Sequence, residues 1–209
     1  MLRLIGLSMI KRGAAVCGSL LLASLAGAQP TELIDDCDSC HGENGISAES
    51  DVPTIGGVSA FVIEDYMFLF ADQARLCRES EHRTGDADKP ATDMCAIAQE
   101  LSEAEIGEIA EYYAGQEYVA AVQEFDAELA AAGASVHRAQ CERCHSDGGS
   151  YADDDAGILA GQWIPYLEQA FADYASGERE SLEENMKEKM DALDAESTIA
   201  LIHFYASQQ

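Results

Sequence analysis

Two short cysteine motifs contain the residues best able to do chemistry in this sequence. Each motif has two cysteines three positions apart and a histidine directly after the second, and the copies lie 104 residues apart. Two thiols on one helical turn can form thioether bonds to both vinyl groups of a haem, while the adjacent imidazole coordinates the iron. The pattern therefore predicts two c-type haem sites. Their residues are Cys37, Cys40 and His41, and then Cys141, Cys144 and His145.

The same cysteine pairs have two other interpretations, a zinc ion held by four thiolates and a redox-active CxxC pair. A shared zinc ion would require both pairs to converge on one point. Here each pair is followed by its own histidine and belongs to its own copy of a longer repeat. Two covalently attached haem c groups are therefore the preferred interpretation.

The repeat extends well beyond the cysteine motifs. At the same offset of 104, the segment 55–57 recurs as 159–161, and further along the chain Tyr113 recurs as Tyr205 at an offset of 92. The change of offset means that the first half holds 12 extra residues, which lie between Asp72 and Met94. An internal duplication predicts two related domains after a leader. The predicted ranges are 1–28 for the leader, 29–117 for the first haem domain and 118–209 for the second.

The predicted fold class is all-α, since no alternating strand pattern of useful length occurs. A helix is expected to end at the first CxxCH motif, and Ser102 with Glu105 forms a capping box that predicts the start of another, with Gly115 at its end. A further helix is predicted from 119 to 132, closed by Gly133.

Two methionines are the predicted second axial ligands of the haem irons. Met94 and Met186 correspond at the offset of 92, whereas Met67 and Met190 have no methionine counterpart in the other half. A thioether opposite histidine raises the reduction potential and closes the sixth position, which suits electron transfer. The predicted iron ligands are thus His41 with Met94 and His145 with Met186.

Residues 1–28 have the composition of a secretory signal cleaved after about Ala28. A basic start, an apolar stretch over 13–25 and small residues at 26–28 follow one another, and the alternative is a membrane anchor. No second apolar stretch approaches spanning length, so the mature chain is predicted to be periplasmic with no membrane span. In an oxidising compartment the two remaining cysteines, Cys77 and Cys95, are predicted to form a disulfide, with two free thiols as the alternative.

The charge balance excludes one class of partner. Acidic residues outnumber basic residues 39 to 12, which gives a formal net charge of −27. Nucleic acid binding requires clusters of Lys and Arg that are missing here, so no nucleic acid partner is expected. The acidity fits either adaptation to high salt or the steering of a basic partner, and the spread of acids through both halves favours the former.

These motifs resemble the exported two-haem cytochromes c built from two fused class I domains. Within that group the second half is most similar to the cytochrome subunit of flavocytochrome c sulfide dehydrogenase. That family implies an FAD-containing flavoprotein partner that oxidises sulfide and passes electrons to the haems. The segments that carry the resemblance are 125–134, 141–145, 158–163, 165–167 and 204–209.

Three functions compete on this sequence. The preferred one is a haem subunit that accepts electrons from a flavoprotein and is not itself an enzyme. The second is a free two-haem carrier that delivers electrons to a terminal oxidase. The third is a two-haem peroxidase, against which the paired methionines argue because it needs an open sixth position on one iron.

One departure from the class I pattern concerns the second domain. Many class I domains place a proline about a dozen residues after the haem histidine, where a nearby carbonyl accepts from the imidazole. Pro53 fits this pattern, but its counterpart in the second half is Gly157. A backbone carbonyl at that point is still expected to hold His145.

Overall fold

The computed structural model describes residues 31–85, 89–179, 181 and 183–209. The predicted leader, residues 1–28, lies outside the described residues. The described chain is helical and contains no strand, apart from two isolated bridges that pair Arg75 with Arg179 and Ser80 with Thr92. The prediction of an all-α fold is confirmed.

Nine α-helices occur in the described residues. They are α1 Thr31–His41, α2 Ala60–Ala71, α3 Met94–Glu100, α4 Glu103–Ala114, α5 Ala127–Gln140, the short α6 Ser146–Gly149, α7 Ile164–Ser176, α8 Glu184–Asp191 and α9 Ala195–Ala206. Single 3-10 turns occupy Glu43–Gly45 and Ala152–Asp154. The capping box predicted at Ser102 is present and starts α4, which ends at Gly115.

The two halves repeat the same backbone contacts. In the first half, the amide of Gly57 donates to the carbonyl of Tyr113 at 2.8 Å, and in the second half Gly161 donates to Tyr205 at 2.8 Å. Both tyrosines are buried, at 0 % and 1 % exposure. In each half this bond ties the loop after the CxxCH motif to the C-terminal helix of that half, and in the second half that helix packs on α5, which precedes the motif.

The helix predicted over 119–132 is wrong in both of its ends. α5 begins at Ala127, after Asp126, whose carboxylate accepts from the amides of Glu128 and Leu129 at 2.8 and 3.0 Å. The apolar residues before it form an extended connection in which Ala121 donates to the carbonyl of Gly161. The helix starts here because the first amides of a helix have no partner within it, and the carboxylate of Asp126 accepts from two of them.

Gly133 lies in the middle of α5 rather than at its end. A Cβ atom at this position would lie 2.0 Å from the carbonyl oxygen of Ala200 in α9. The glycine is therefore required by the close crossing of two helices, which helical periodicity in one segment does not reveal.

Each half has its own apolar core. α2 and α4 supply most of the first core, and α7 and α9 supply the second. Ile158 belongs to the second half by sequence but is buried in the first core, so the two halves are packed against each other. Among the described residues, no helix is both long enough and apolar enough to cross a membrane.

Gln162 joins the two halves through a buried pair of hydrogen bonds. Its side-chain oxygen accepts from the amide of Thr54 at 3.0 Å, and its nitrogen donates to the carbonyl of Thr54 at 2.8 Å. The neighbouring indole of Trp163 donates to the carbonyl of Ser47 at 2.9 Å. Gln162 is 2 % exposed, so these bonds are shielded from water.

Replacing Gln162 by Ala is expected to lower the free energy of unfolding by about 2–4 kcal/mol, because both backbone groups of Thr54 lose their partner inside the protein. Denaturant unfolding followed by circular dichroism measures the change. The matched control is Gln99→Ala, since Gln99 donates to one carbonyl, that of Ala71, from an exposed position. The control is expected to change stability by less than about 0.5 kcal/mol. Equal effects of the two substitutions would contradict this role for Gln162.

Candidate haem sites

The first CxxCH motif forms the last turn of α1. Cys37 and Cys40 are free thiols, and His41 is the final residue of the helix. Because residues three apart lie on the same side of a helix, both sulfur atoms are available to one planar ligand on that side. Burial is the main reason that the pKa of Cys37 is raised to about 11, so its sulfur is a neutral thiol.

His41 is held in the orientation that a metal ligand requires. Its Nδ1 donates to the carbonyl of Pro53 at 3.0 Å. A carbonyl only accepts, so the proton is on Nδ1 and the lone pair of Nε2 is free. Burial lowers the pKa of His41, while the hydrogen bond to Pro53 opposes that change. The result is a neutral imidazole with one nitrogen available to iron.

The second motif follows α5 directly and forms a tight turn. The amides of Cys144 and His145 both donate to the carbonyl of Cys141 at 3.0 Å, and both thiols are free. Through these two bonds the backbones of Cys144 and His145 lie next to that of Cys141. Cys144 is exposed, whereas Cys141 and Cys40 are half-buried.

His145 differs from His41 in how its second nitrogen is satisfied. Its Nδ1 is buried and has no hydrogen-bond partner in the described chain. The carbonyl of Gly157 is near enough to raise the pKa of this ring, but its geometry does not meet that of a hydrogen bond, and burial lowers the pKa more strongly. The expected bond from a carbonyl at this point is thus not formed.

A tyrosine hydroxyl lies at the same place in each half. Tyr113 donates to the carboxylate of Asp38 at 2.7 Å, and the hydroxyl of Tyr205 is 3.1 Å from Nδ1 of His137. His137 is 2 % exposed, and its Nε2 lies 2.6 Å from the carboxylate of Glu142, at ion-pair distance although not aligned as a hydrogen bond. The repeat gives His137 no histidine counterpart, since Leu33 stands at the equivalent place of the first half, and the sequence alone therefore predicts a surface or packing residue.

The predicted distal ligands lie at matching places in the two halves. Met94 is the first residue of α3 and packs against the first core, and Met186 is the third residue of the exposed helix α8. Both side chains are half-buried. Each therefore lies near the start of the helix that precedes the C-terminal helix of its half. Ligation of iron by either sulfur stays a prediction.

Cys77 and Cys95 are joined by a disulfide in this structure, with their Cα atoms 5.8 Å apart. The bridge closes a loop over a sequence separation of 18 and ends beside Met94. Within this loop Ser80 and Thr92 exchange two backbone hydrogen bonds of 2.7 and 3.0 Å. The extra residues of the first half are thus organised as a closed hairpin.

Replacing both Cys77 and Cys95 by Ala is expected to cost about 3 kcal/mol of stability, since the bridge restricts the unfolded chain over this loop. The melting temperature in calorimetry is expected to fall by about 6–12 °C, at the 2–4 °C per kcal/mol usual for a chain of this length. A reductant also reduces the haem irons of both proteins, so the disulfide is measured by the difference: the reductant should lower the melting temperature of the natural protein relative to that of the double variant. A reductant effect of the same size on both proteins would contradict a stabilising disulfide.

Two arginines meet between the halves at equivalent positions of the repeat. Arg75 and Arg179 pair through their backbones, and both guanidinium groups lie over the ring of Tyr66, at 4.5 and 5.0 Å. Arg179 is 7 % exposed. Neither guanidinium forms an ion pair with a carboxylate in the described chain. Arg75 is half-buried, and a buried and a half-buried cation side by side are costly without an anion, so this place favours a negatively charged group.

The comparisons with known proteins identify the fold. No family model and no curated protein matches the chain. Cytochrome c4 of Pseudomonas stutzeri is similar in structure, with a TM-score of 0.69 and 20 % identity, over 88 % of this chain and 100 % of that one. Cytochrome c4 of Acidithiobacillus ferrooxidans gives a TM-score of 0.66 and 21 % identity, over 83 % of this chain and 99 % of that one.

A third similar structure is the thiosulfate dehydrogenase TsdBA of Marichromatium purpuratum. Its TM-score is 0.64 and its identity 22 %, over 83 % of this chain but only 36 % of that one, so this chain spans about a third of its length. The fold is that of two tandem class I cytochrome c domains. Within it, the free CxxCH thiols, the neutral imidazole of His41 and the arginine pair without carboxylate partners fit two covalently attached haem c groups.

Proposed function

We propose that this chain is a two-haem c-type cytochrome that transfers electrons between redox partners and is not itself an enzyme. The observation that carries the proposal is the repeated CxxCH motif, which in both halves follows or ends a helix and presents a half-buried imidazole in a cytochrome c fold. When bound, each haem supplies a one-electron couple of iron.

The chain's own residues would hold and orient the two groups. Cys37, Cys40, Cys141 and Cys144 would form the thioether bonds, and His41 with Met94 and His145 with Met186 would be the axial ligands. Arg75 and Arg179 would receive propionate carboxylates, since neither guanidinium has a carboxylate partner in the described chain. Pro53 orients His41 by accepting its Nδ1 proton.

For the partner we propose the FAD flavoprotein of a sulfide dehydrogenase, with this chain as its haem subunit in the periplasm after removal of residues 1–28. The segments 141–145 and 158–163 support it through their resemblance to that family. TsdBA, which is named as a thiosulfate dehydrogenase, shows that this fold occurs in enzymes that oxidise sulfur compounds.

The second candidate is a free two-haem carrier that delivers electrons to a terminal oxidase. The observation that favours it is the similarity to the cytochromes c4, whose length is covered almost completely.

The first experiment is the absorption spectrum and native mass of the protein purified from its own source at low salt. Haem c bands at two haems per chain are expected, and their absence would contradict the cytochrome proposal. A larger complex with one flavin per two haems, whose haems are reduced by sulfide, is expected for the flavoprotein partner. A free two-haem species without flavin and without response to sulfide would favour the carrier.

A further inference from the structure

The two CxxCH motifs differ in how much of their outer face is covered. Ser39, between the cysteines of the first motif, is 7 % exposed, whereas Arg143 at the same place in the second motif is exposed. Cys40 is half-buried and Cys144 is exposed. One cause of this difference is what packs against each motif.

The first motif is covered by the hairpin that the second half lacks. The amides of Arg83 and Thr84 both donate to the carbonyl of Ser39, at 2.8 and 3.0 Å. Nδ1 of His82 lies 2.7 Å from the hydroxyl of Ser39, within hydrogen-bond distance. We call residues 81–84 the cover segment.

Further contacts anchor the cover segment on the first domain. The guanidinium of Arg83 lies 3.0 Å from the carboxylate of Asp51 and 3.6 Å from that of Glu49. Lys89, further along the hairpin, pairs with Asp36 of α1. The disulfide and the pairing of Ser80 with Thr92 close the base of the hairpin. The cover segment is therefore held by its own contacts with the first domain, by Lys89 and by the closed base of the hairpin.

A thioether bond joins its cysteine directly to the edge of the haem macrocycle. A haem bonded to the exposed Cys144 would therefore have its attached edge close to solvent. A haem bonded to the half-buried Cys40 would have its attached edge beside the cover segment, which contacts Ser39. Electron transfer between proteins weakens steeply with the distance between the groups, so the edge close to solvent is the more effective point of exchange.

We propose that redox proteins dock on the second CxxCH motif and exchange electrons there, while the cover segment closes the equivalent face of the first. This proposal rests on the proposed function, since it requires both haems. The surface near the second motif carries the exposed acids Asp147, Asp153 and Asp155. The chain as a whole has a net charge of −27. This acidic surface is therefore complementary to a partner whose docking face is basic.

The test is made on the two-haem protein in its oxidised state. A soluble gadolinium chelate relaxes protons that solvent can approach, and the paramagnetically shifted thioether protons report each motif separately. We expect severalfold stronger relaxation at the second motif than at the first in the natural protein. Equal relaxation would overturn the proposal without any variant being needed.

A variant with a shortened hairpin tests whether the cover segment causes the weaker relaxation at the first motif. Residues 81–91 are replaced by Asn-Gly, a two-residue turn that can join Ser80 to Thr92. The disulfide and the pairing at its base are kept. We expect relaxation at the first motif to rise to the level of the second. An unchanged first motif in a folded variant would overturn the role of the cover segment.

The kind of partner is tested with tris(phenanthroline)cobalt(III), a cationic oxidant that accepts one electron as the chain loses one. At low salt, Asp147→Asn is expected to slow its reduction, while Glu43→Gln at the same place in the first half is not. Equal slowing by both variants would overturn docking at the second motif. A protein without haem bands would instead contradict the proposed function itself.

Discussion

Replacing Met186 by His is expected to lower one of the two reduction potentials by on the order of 0.2 V, a fraction of the ~0.8 V that axial ligands span, and to leave the other nearly unchanged. Imidazole is a stronger donor than a thioether and favours the oxidised iron, so the potential falls. Met94→His should act in the same way on the other potential. A redox titration followed by absorbance measures both values in one experiment.

The controls for this prediction are the methionines without counterparts in the repeat. Met190 lies in α8 four residues after Met186, and Met67 is 5 % exposed in the first core. Met190→Leu and Met67→Leu are expected to leave both potentials close to their natural values. A large fall in potential from either control, or none from the His substitutions, would show that Met94 and Met186 are not the ligands.

Replacing Gly133 by Ala is expected to lower the free energy of unfolding by about 3 kcal/mol or more, because the clash is with backbone and cannot be relieved by a side-chain rotation. The new methyl group would lie 2.0 Å from the carbonyl oxygen of Ala200, so α5 and α9 would have to move apart. Denaturant unfolding of the purified protein measures the loss.

Gly107 is the matched control, since it also lies inside a helix, α4. A Cβ atom there would meet only the carboxylate of Glu64, at an ordinary contact distance of 3.6 Å. Gly107→Ala is expected to stabilise the protein by about 0.5–1 kcal/mol through helix propensity. Destabilisation by both substitutions to the same degree would show that the helix crossing is not what requires Gly133.

The haem-attachment chemistry of this chain could be predicted from short motifs and their repetition in the sequence. Cys37 and Cys40 are three positions apart, so their shared role follows from the sequence spacing. Equivalent residues of the two halves follow from the internal repeat. Neither prediction requires knowledge of the tertiary structure. The capping box at Ser102 was predicted correctly for the same reason, because all of its hydrogen bonds lie within four residues.

The helix predicted over 119–132 was wrong because the cap at Asp126 sets its start and a tertiary contact explains Gly133. Before the cap, Ala121 donates to the carbonyl of Gly161, and Gly133 faces a helix that lies almost seventy residues away in sequence. Hydrophobic periodicity indicates which face of a segment is buried. It does not indicate which other segment covers that face.

The amino-acid sequence by itself determined the two CxxCH motifs, the duplication and the position of the 12 extra residues. Only the tertiary structure showed that those extra residues contact Ser39 in the first motif, whereas Cys144 in the second motif is exposed. Likewise, it alone brought Arg75 together with Arg179 and Gln162 to Thr54. The physical reason is that attachment chemistry depends on neighbours along the chain, whereas exposure and charge pairing depend on which distant segments pack together.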